Sequence, residues 1–285
     1  MTVTTFPDIF RRGEHLSLEM PRIARFVAEG VPHHITQRGN ARQAVFDDQQ
    51  DRRIYLNLLR EYASSQGLSI WAWCLMTNHV HLLAVPSSSA GLARTLSRTH
   101  HDYACYRNTR LGKCGHLWQS RFYSCPIGTP DVWTVMAYIE QNPVRAALVS
   151  CAEEYPWSSA AAHTSDQDDL DLLDMIPWRE NYTRERWKET LRLGVEEQAF
   201  QERIRLATMT GRPFGSDQFT ETRRRSATPA GPPPPSEENP VTVTAFPDFV
   251  RSKHGWRDYL QGLAPGGRAS DVEEQPQSRS GRESR

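Results

Sequence analysis

The sequence predicts an α+β fold, an antiparallel sheet with helices on one face. Two observations predict it. Hydrophobic side chains recur first at strand spacing and then at helical spacing, in the order β-α-β-β-α-β, and the connection between the two middle strands is too short for anything but a hairpin. Val31 to Arg38 alternates like a strand and ends at the turn pair Gly39-Asn40. From Asp48 to Gln66, the residues Ile54, Leu58, Leu59 and Tyr62 share a helical face, and Gly67 stops the run. Ser69 to Met76 reads as a second strand, and Thr77-Asn78 turns it into a third, His79 to Val85. Gly91 to Tyr106 forms the second helix, with Leu92, Leu96 and Tyr103 on its apolar side. Trp118 to Ile127 is expected as the fourth strand and Asp131 to Gln141 as a third helix with Asp131 at its N-cap. This order is the ferredoxin-like split unit.

The 285 residues suffice for one well-buried domain with appendages. Apolar content of 38% and a mean hydropathy of −0.64 are low for a single globule, so part of the chain is expected to lie outside the core. Residues 20–163 hold eight of the ten histidines and carry 14 Lys and Arg against 10 Asp and Glu, a mildly basic core domain. Residues 1–19 are expected as a disordered extension, 164–220 as an acidic linker with a helical segment from Thr183 to about Thr208, and 221–285 as a disordered Pro/Arg-rich tail. The segment Thr2–Asp8 recurs as Thr242–Asp248; it is either a duplicated docking peptide or the product of repeated DNA beside a gene whose functional start is Met20. No run approaches the roughly 18 apolar residues of a membrane span, and no signal pattern opens the chain, so a cytoplasmic protein is expected. Five cysteines without a Cys-x-x-Cys pair indicate neither a disulfide framework nor a zinc ribbon. The net charge is zero, and only Lys113, Lys188 and Lys253 among the 34 basic residues are lysines. Arginine's two-pronged fork suits phosphate, although GC-rich coding DNA gives the same bias.

Chemistry concentrates at two places. His79 and His81 flank Val80 on a strand, so both imidazoles point one way while Val80 and Leu82 point into the core. Such a pair is half of a metal site or a chance pairing on a polar face. Tyr138 and Asn142 lie four apart and share a face if the helix runs through them, with Pro143 limiting its continuation. The plain alternative is a core-capping Tyr138 and a helix-ending Asn142. Adjacent His33 and His34 face opposite sides, which predicts one of them packed in the core, and His100 and His101 read as exposed or core-satisfied rather than as ligands.

These segments carry a resemblance. Met20-Pro21-Arg22, His34-Ile35-Thr36-Gln37-Arg38-Gly39-Asn40, Met76 to Leu83, Leu117-Trp118-Gln119-Ser120-Arg121-Phe122-Tyr123, Tyr138 to Ala146 and Tyr155-Pro156-Trp157-Ser158-Ser159 resemble the REP-associated tyrosine transposases, within the HUH single-strand DNA endonucleases. The resemblance covers residues 20–163, and Gly211-Arg212-Pro213-Phe214-Gly215-Ser216 resembles a C-terminal motif of the same family. It implies the HUH fold, with His79, His81 and Asn142 as ligands of Mg2+ or Mn2+, Tyr138 as nucleophile, and cleavage and rejoining of single-stranded DNA beside hairpins through a 5′-phosphotyrosine bond. Arg38, Arg121, Arg145 and Arg212 are the candidate DNA contacts, no organic cofactor or membrane partner is implied, and a monomer is slightly favoured over a homodimer. Past Phe219 the chain departs from the family's basic ending and turns Pro-rich. A non-cleaving hairpin-binding protein and a hydrolase that uses the histidines to activate water are the other classes consistent with these residues.

Overall fold

The structure is a computed structural model that describes residues 26–195 and 198–226. The Met20-Pro21-Arg22 motif, the repeated heptapeptide and the tail beyond residue 226 lie outside the described residues. In chain order come β1 (His33–Arg38), α1 (Gln49–Gln66), β2 (Leu68–Met76), β3 (His79–Pro86), α2 (Ser89–Leu111), β4 (Tyr123–Pro126), α3 (Val132–Glu140) and α4 (Asn142–Arg145). After them come α5 (Ala160–Ser165), α6 (Ile176–Asn181), α7 (Arg184–Leu193), α8 (Gln198–Thr210) and α9 (Asp217–Ser226). Ala104–Gly115, the last turns of α2 and the loop after it, separate as a second unit, closed within itself by the Asn108 amide donating to Gly115 O at 3.0 Å.

The sheet order β2-β3-β1-β4, antiparallel throughout, is the predicted ferredoxin-like arrangement. Local chemistry sets its joints. Asp48 caps α1 by accepting from Asp51 N at 2.9 Å, and Gly67 ends the helix at φ 64°, a left-handed conformation that a side chain resists. Thr77-Asn78 is the hairpin turn, because Met76 pairs with His79. That register fixes a shared face: Arg38 opposite His79 opposite Met76, and Thr36 opposite His81 opposite Cys74. On this face Cys74, Met76, Leu83 and Cys125 form one buried cluster with Val135, Met136 and Tyr138 of α3, Trp178, Trp187 and Phe200.

Four expectations need correcting. Ile35, Val80 and Leu82 on the opposite face are also fully buried, and α1, which packs along β2, lies outside the cluster beneath α3; the sheet is covered on both faces rather than one. The fourth strand is Tyr123–Pro126 alone: Leu117 O accepts from Asn40 N, Gln119 N donates to Arg38 O and Ser120 O accepts from Gln37 Nε2, so residues 117–120 make one antiparallel bridge, Trp118 to Gly39, just past the end of β1 instead of continuing the strand. Asp131 occupies the N-cap of α3 but in helical conformation (φ −96°, ψ −8°) with no capping bond, since a 3-10 turn over Thr129–Asp131 leads straight into the helix. The segment after Thr183 is two helices separated at Gly194 (φ 76°), and α9 continues to Ser226, past residue 221.

The acidic run is a tied loop. Asp168 accepts from Leu170, Leu172 and Leu173 N, Asp166 pairs with Arg179 at 2.7 Å, and Asp174 accepts from Ser69 Oγ at 2.7 Å. The chain after α4 reaches both rims of the sheet, before, within and beyond this loop. Along β2, Leu75 N donates to Trp157 O (2.8 Å), Ser159 N to Trp73 O (2.9 Å) and Asp174 N to Ile70 O (2.8 Å). At β4, Phe214 N donates to Pro126 O (2.9 Å) and Gly128 N to Phe214 O (2.7 Å).

Candidate functional site

The strand pair β1–β3 and the helix α3 bring four rings together. His79 and His81 have ring centroids 5.0 Å apart; His34, from β1, stacks on His81 at 5.3 Å with an interplanar angle of 12°. The Tyr138 ring meets His34 and His81 edge-on, at 5.9 and 6.1 Å. Tyr138 thus stands beside His34 and His81. The phenol is nearly covered, with 4% of the residue exposed.

Hydrogen bonds hold the rings. His79 Nδ1 bonds Asn78 Oδ1 at 2.6 Å, and the Asn78 amide nitrogen donates to Arg42 O, which turns the oxygen toward the ring. Burial lowers the His79 pKa to about 4, with Arg38 and Arg205 adding to the effect, and holds His81 well below the ordinary value. Both rings are therefore neutral at pH 7, the state that can ligate a cation. Among the described residues no group of three or more His, Cys, Asp or Glu has metal-holding geometry, so this pair supplies two donors rather than a closed cage. Two neutral imidazoles on adjacent same-face positions fit a divalent ion completed by other oxygens.

Asn142 sits differently from what its expected role as ligand requires. Pro143 has no N–H to give Ile139 O, and the Asn142 amide nitrogen donates there instead at 3.0 Å. The Asn142 oxygen, the atom a hard cation needs, accepts from Arg145 at 2.9 Å. In this arrangement Asn142 bridges the break between α3 and α4 and carries a guanidinium where the ion would bind.

Arg145 also donates to Tyr138 O at 2.7 Å and lies over the Tyr138 ring, 4.2 Å from its centroid. Burial pushes the Tyr138 phenol above the ordinary tyrosine value, and the charges of Arg145 and Arg205 pull it back without cancelling the rise. Arg38 is exposed on the histidine face, Arg121 is exposed in the segment wrapped on β1, and Arg212 is exposed in the loop after α8. His33 is buried with Nδ1 on Val31 O at 2.7 Å, and His100 is buried against Tyr55 Oη at 3.1 Å. Both His33 and His34 are buried, not one, and His34 belongs to the site. Strand parity through Thr36 was the signal for His34. Nothing local in the sequence marked Arg205 or Thr208, whose hydroxyl meets His34 Nδ1 at 2.7 Å.

Residues 28–142 match the family described as IS200-like transposases. Among solved structures, a REP-associated tyrosine transposase bound to a REP hairpin is 20% identical, with 53% of this chain and 90% of that one covered at a TM-score of 0.42. A putative transposase from Deinococcus radiodurans R1 is 18% identical over 41% of this chain and 95% of that one, at a TM-score of 0.30. No curated protein matches the chain. Among the described residues no helix is long and apolar enough to cross a membrane.

Proposed function

We propose that this chain, with a catalytic domain over residues 20–163, cleaves and rejoins single-stranded DNA beside hairpins through Tyr138, with a divalent cation held by His79 and His81. The observation that carries the reading is the Tyr138 ring set edge-on against His81, on the one sheet face that both histidines share. The Tyr138 oxygen attacks the phosphorus, the bond to the 3′ oxygen breaks, the phenol proton passes to solvent and the leaving oxygen gains one. The ester energy stays in the phosphotyrosine bond, so rejoining needs no nucleotide. A bound Mg2+ or Mn2+ would supply positive charge to the phosphate oxygens. Arg145, against the ring, stabilises the phenolate as it forms; displaced onto a phosphate, it would also free the Asn142 oxygen to serve as third ligand. Arg38, Arg121 and Arg212 are exposed guanidinium groups for the DNA backbone. The C-terminal residues bonded along both sheet rims support a monomer.

The test is denaturing electrophoresis of the protein with labelled single-stranded hairpins copied from the DNA beside its gene, with Mg2+ or Mn2+. A covalent adduct that disappears in Tyr138→Phe and with a chelator is expected. A second reading, binding to hairpins without cutting, is favoured by the 4% exposure of Tyr138 and the guanidinium on Asn142. Chelator-insensitive binding without an adduct, on several hairpins, decides for it.

A further inference from the structure

We infer that Thr208 and His34 are positioning residues of the histidine pair: a hydrogen-bond relay from α8 holds His81 with its proton on Nδ1 and its Nε2 lone pair free for a cation. This rests on the reading of His79 and His81 as ligands.

The relay starts on α8, beyond the residues that match the transposase family. The Thr208 hydroxyl donates to Ile204 O at 2.8 Å, one turn back along the helix. Its single proton is thereby used, and the oxygen is left as an acceptor. His34 Nδ1 lies 2.7 Å from it and donates, so the His34 proton is on Nδ1 and its Nε2 is a bare acceptor. His81 Nδ1 lies 3.0 Å from His34 Nε2, and donates in turn. A neutral imidazole with its proton on Nδ1 has only Nε2 left for a ligand. Cys125 Sγ, 3.3 Å from the Thr208 oxygen, completes the hydroxyl's surroundings from β4 with a thiol that burial pushes up to about 12, a proton donor at neutral pH.

His79 reaches the same state by a shorter route, through Asn78 Oδ1. Both rings therefore present Nε2. His34 is 1% exposed and Thr208 2%, so water does not compete for either bond. Partners of this kind typically change metal affinity about 10- to 100-fold when removed.

Long-range 1H–15N correlation spectra of the full-length, metal-free protein at pH 7 report which nitrogen of each ring bears the proton. The expected result is Nδ1–H for His34, His79 and His81. Mn2+ titration followed by electron paramagnetic resonance should then show Thr208→Val binding about 10- to 100-fold more weakly, with His81 shifted toward Nε2–H, and Thr208→Ser restoring both. A wild-type His81 protonated on Nε2 overturns the relay without any variant having to fold. Thr208→Val with an unchanged His81 tautomer, or unchanged Mn2+ affinity, overturns it as well. Failure of the ligand reading looks different: Mn2+ would titrate wild type and His79→Ala alike, whatever the ring protons show.

Discussion

Tyr138 and Glu140 stand two residues apart on α3, and the polar groups around them differ in kind. The Glu140 carboxylate is fully buried, with Oε1 on Ser159 Oγ (2.5 Å) and His163 Nδ1 (2.6 Å) and Oε2 accepting from Trp187 Nε1 at 2.9 Å. Both of its oxygens are used, by α5, the residue before it, and α7, so the cluster binds α3 to the C-terminal helices and offers the carboxylate to nothing outside. Around Tyr138 the hydrogen bonds of His79 and His81 use Nδ1 and leave each Nε2 without a side-chain partner among the described residues. A carboxylate with both oxygens bonded fixes a helix in place; ring nitrogens left over on the same helix's neighbours can accept a ligand. The two together hold the Tyr138 ring in place on a short helix that ends just before a proline.

The largest effect that would break the contrast is chemical. Tyr138→Phe should abolish the covalent DNA adduct while moving the urea midpoint by no more than about 1 kcal/mol of stability, because the ring's packing is kept. If that variant still forms an adduct, another nucleophile is at work. Glu140→Leu should instead cost about 3 to 5 kcal/mol of stability, since it leaves the His163, Ser159 and Trp187 donors buried without their acceptor; a value near zero in urea unfolding would mean the network is not closed. Trp187→Phe removes one bond of the three and should cost about 1 to 3 kcal/mol. The histidines sharpen the contrast through pH. His33, His34 and His79 have pKa values lowered to about 4, 3 and 4, so the unfolded chain binds protons that the folded chain refuses. Stability should be constant above the unfolded value near 6.5 and fall as pH drops toward 4, by about 1.4 kcal/mol per pH unit for each group; a flat profile between pH 6.5 and 4.5 would show that these rings are not buried neutral. The smallest effect is electrostatic: Arg38→Ala should weaken single-strand binding evenly across sequences and reduce the salt slope by about 1, read by titration at several salt concentrations.

The sheet was legible because strand and helix periods are local: Ile54, Leu58 and Leu59 needed only each other to declare α1, and Met76 to His79 needed only a two-residue turn. The histidine face came from alternation alone. What escaped was non-local. Trp118 to Phe122 reads as strand by composition, but its partners are the far end of β1 and the Gln37 side chain, which no window of sequence contains. Asp131 looked like a cap because the preceding 3-10 turn was invisible. Asn142 carries no sign that Pro143 leaves Ile139 O for it to satisfy. The partners of Glu140 and His34 come from 19 to 174 residues away in the chain, and only folding brings them near.

The C-terminal chain bonded along β2 and at the end of β4 has a consequence for how the protein behaves at high concentration. An open sheet leaves a row of amides and carbonyls at each margin, a template onto which any extended peptide can add. Here Trp157, Ser159 and Asp174 occupy one margin and Phe214 the end of the other. The protein can thus be crowded against copies of itself without zipping into fibrils along these margins.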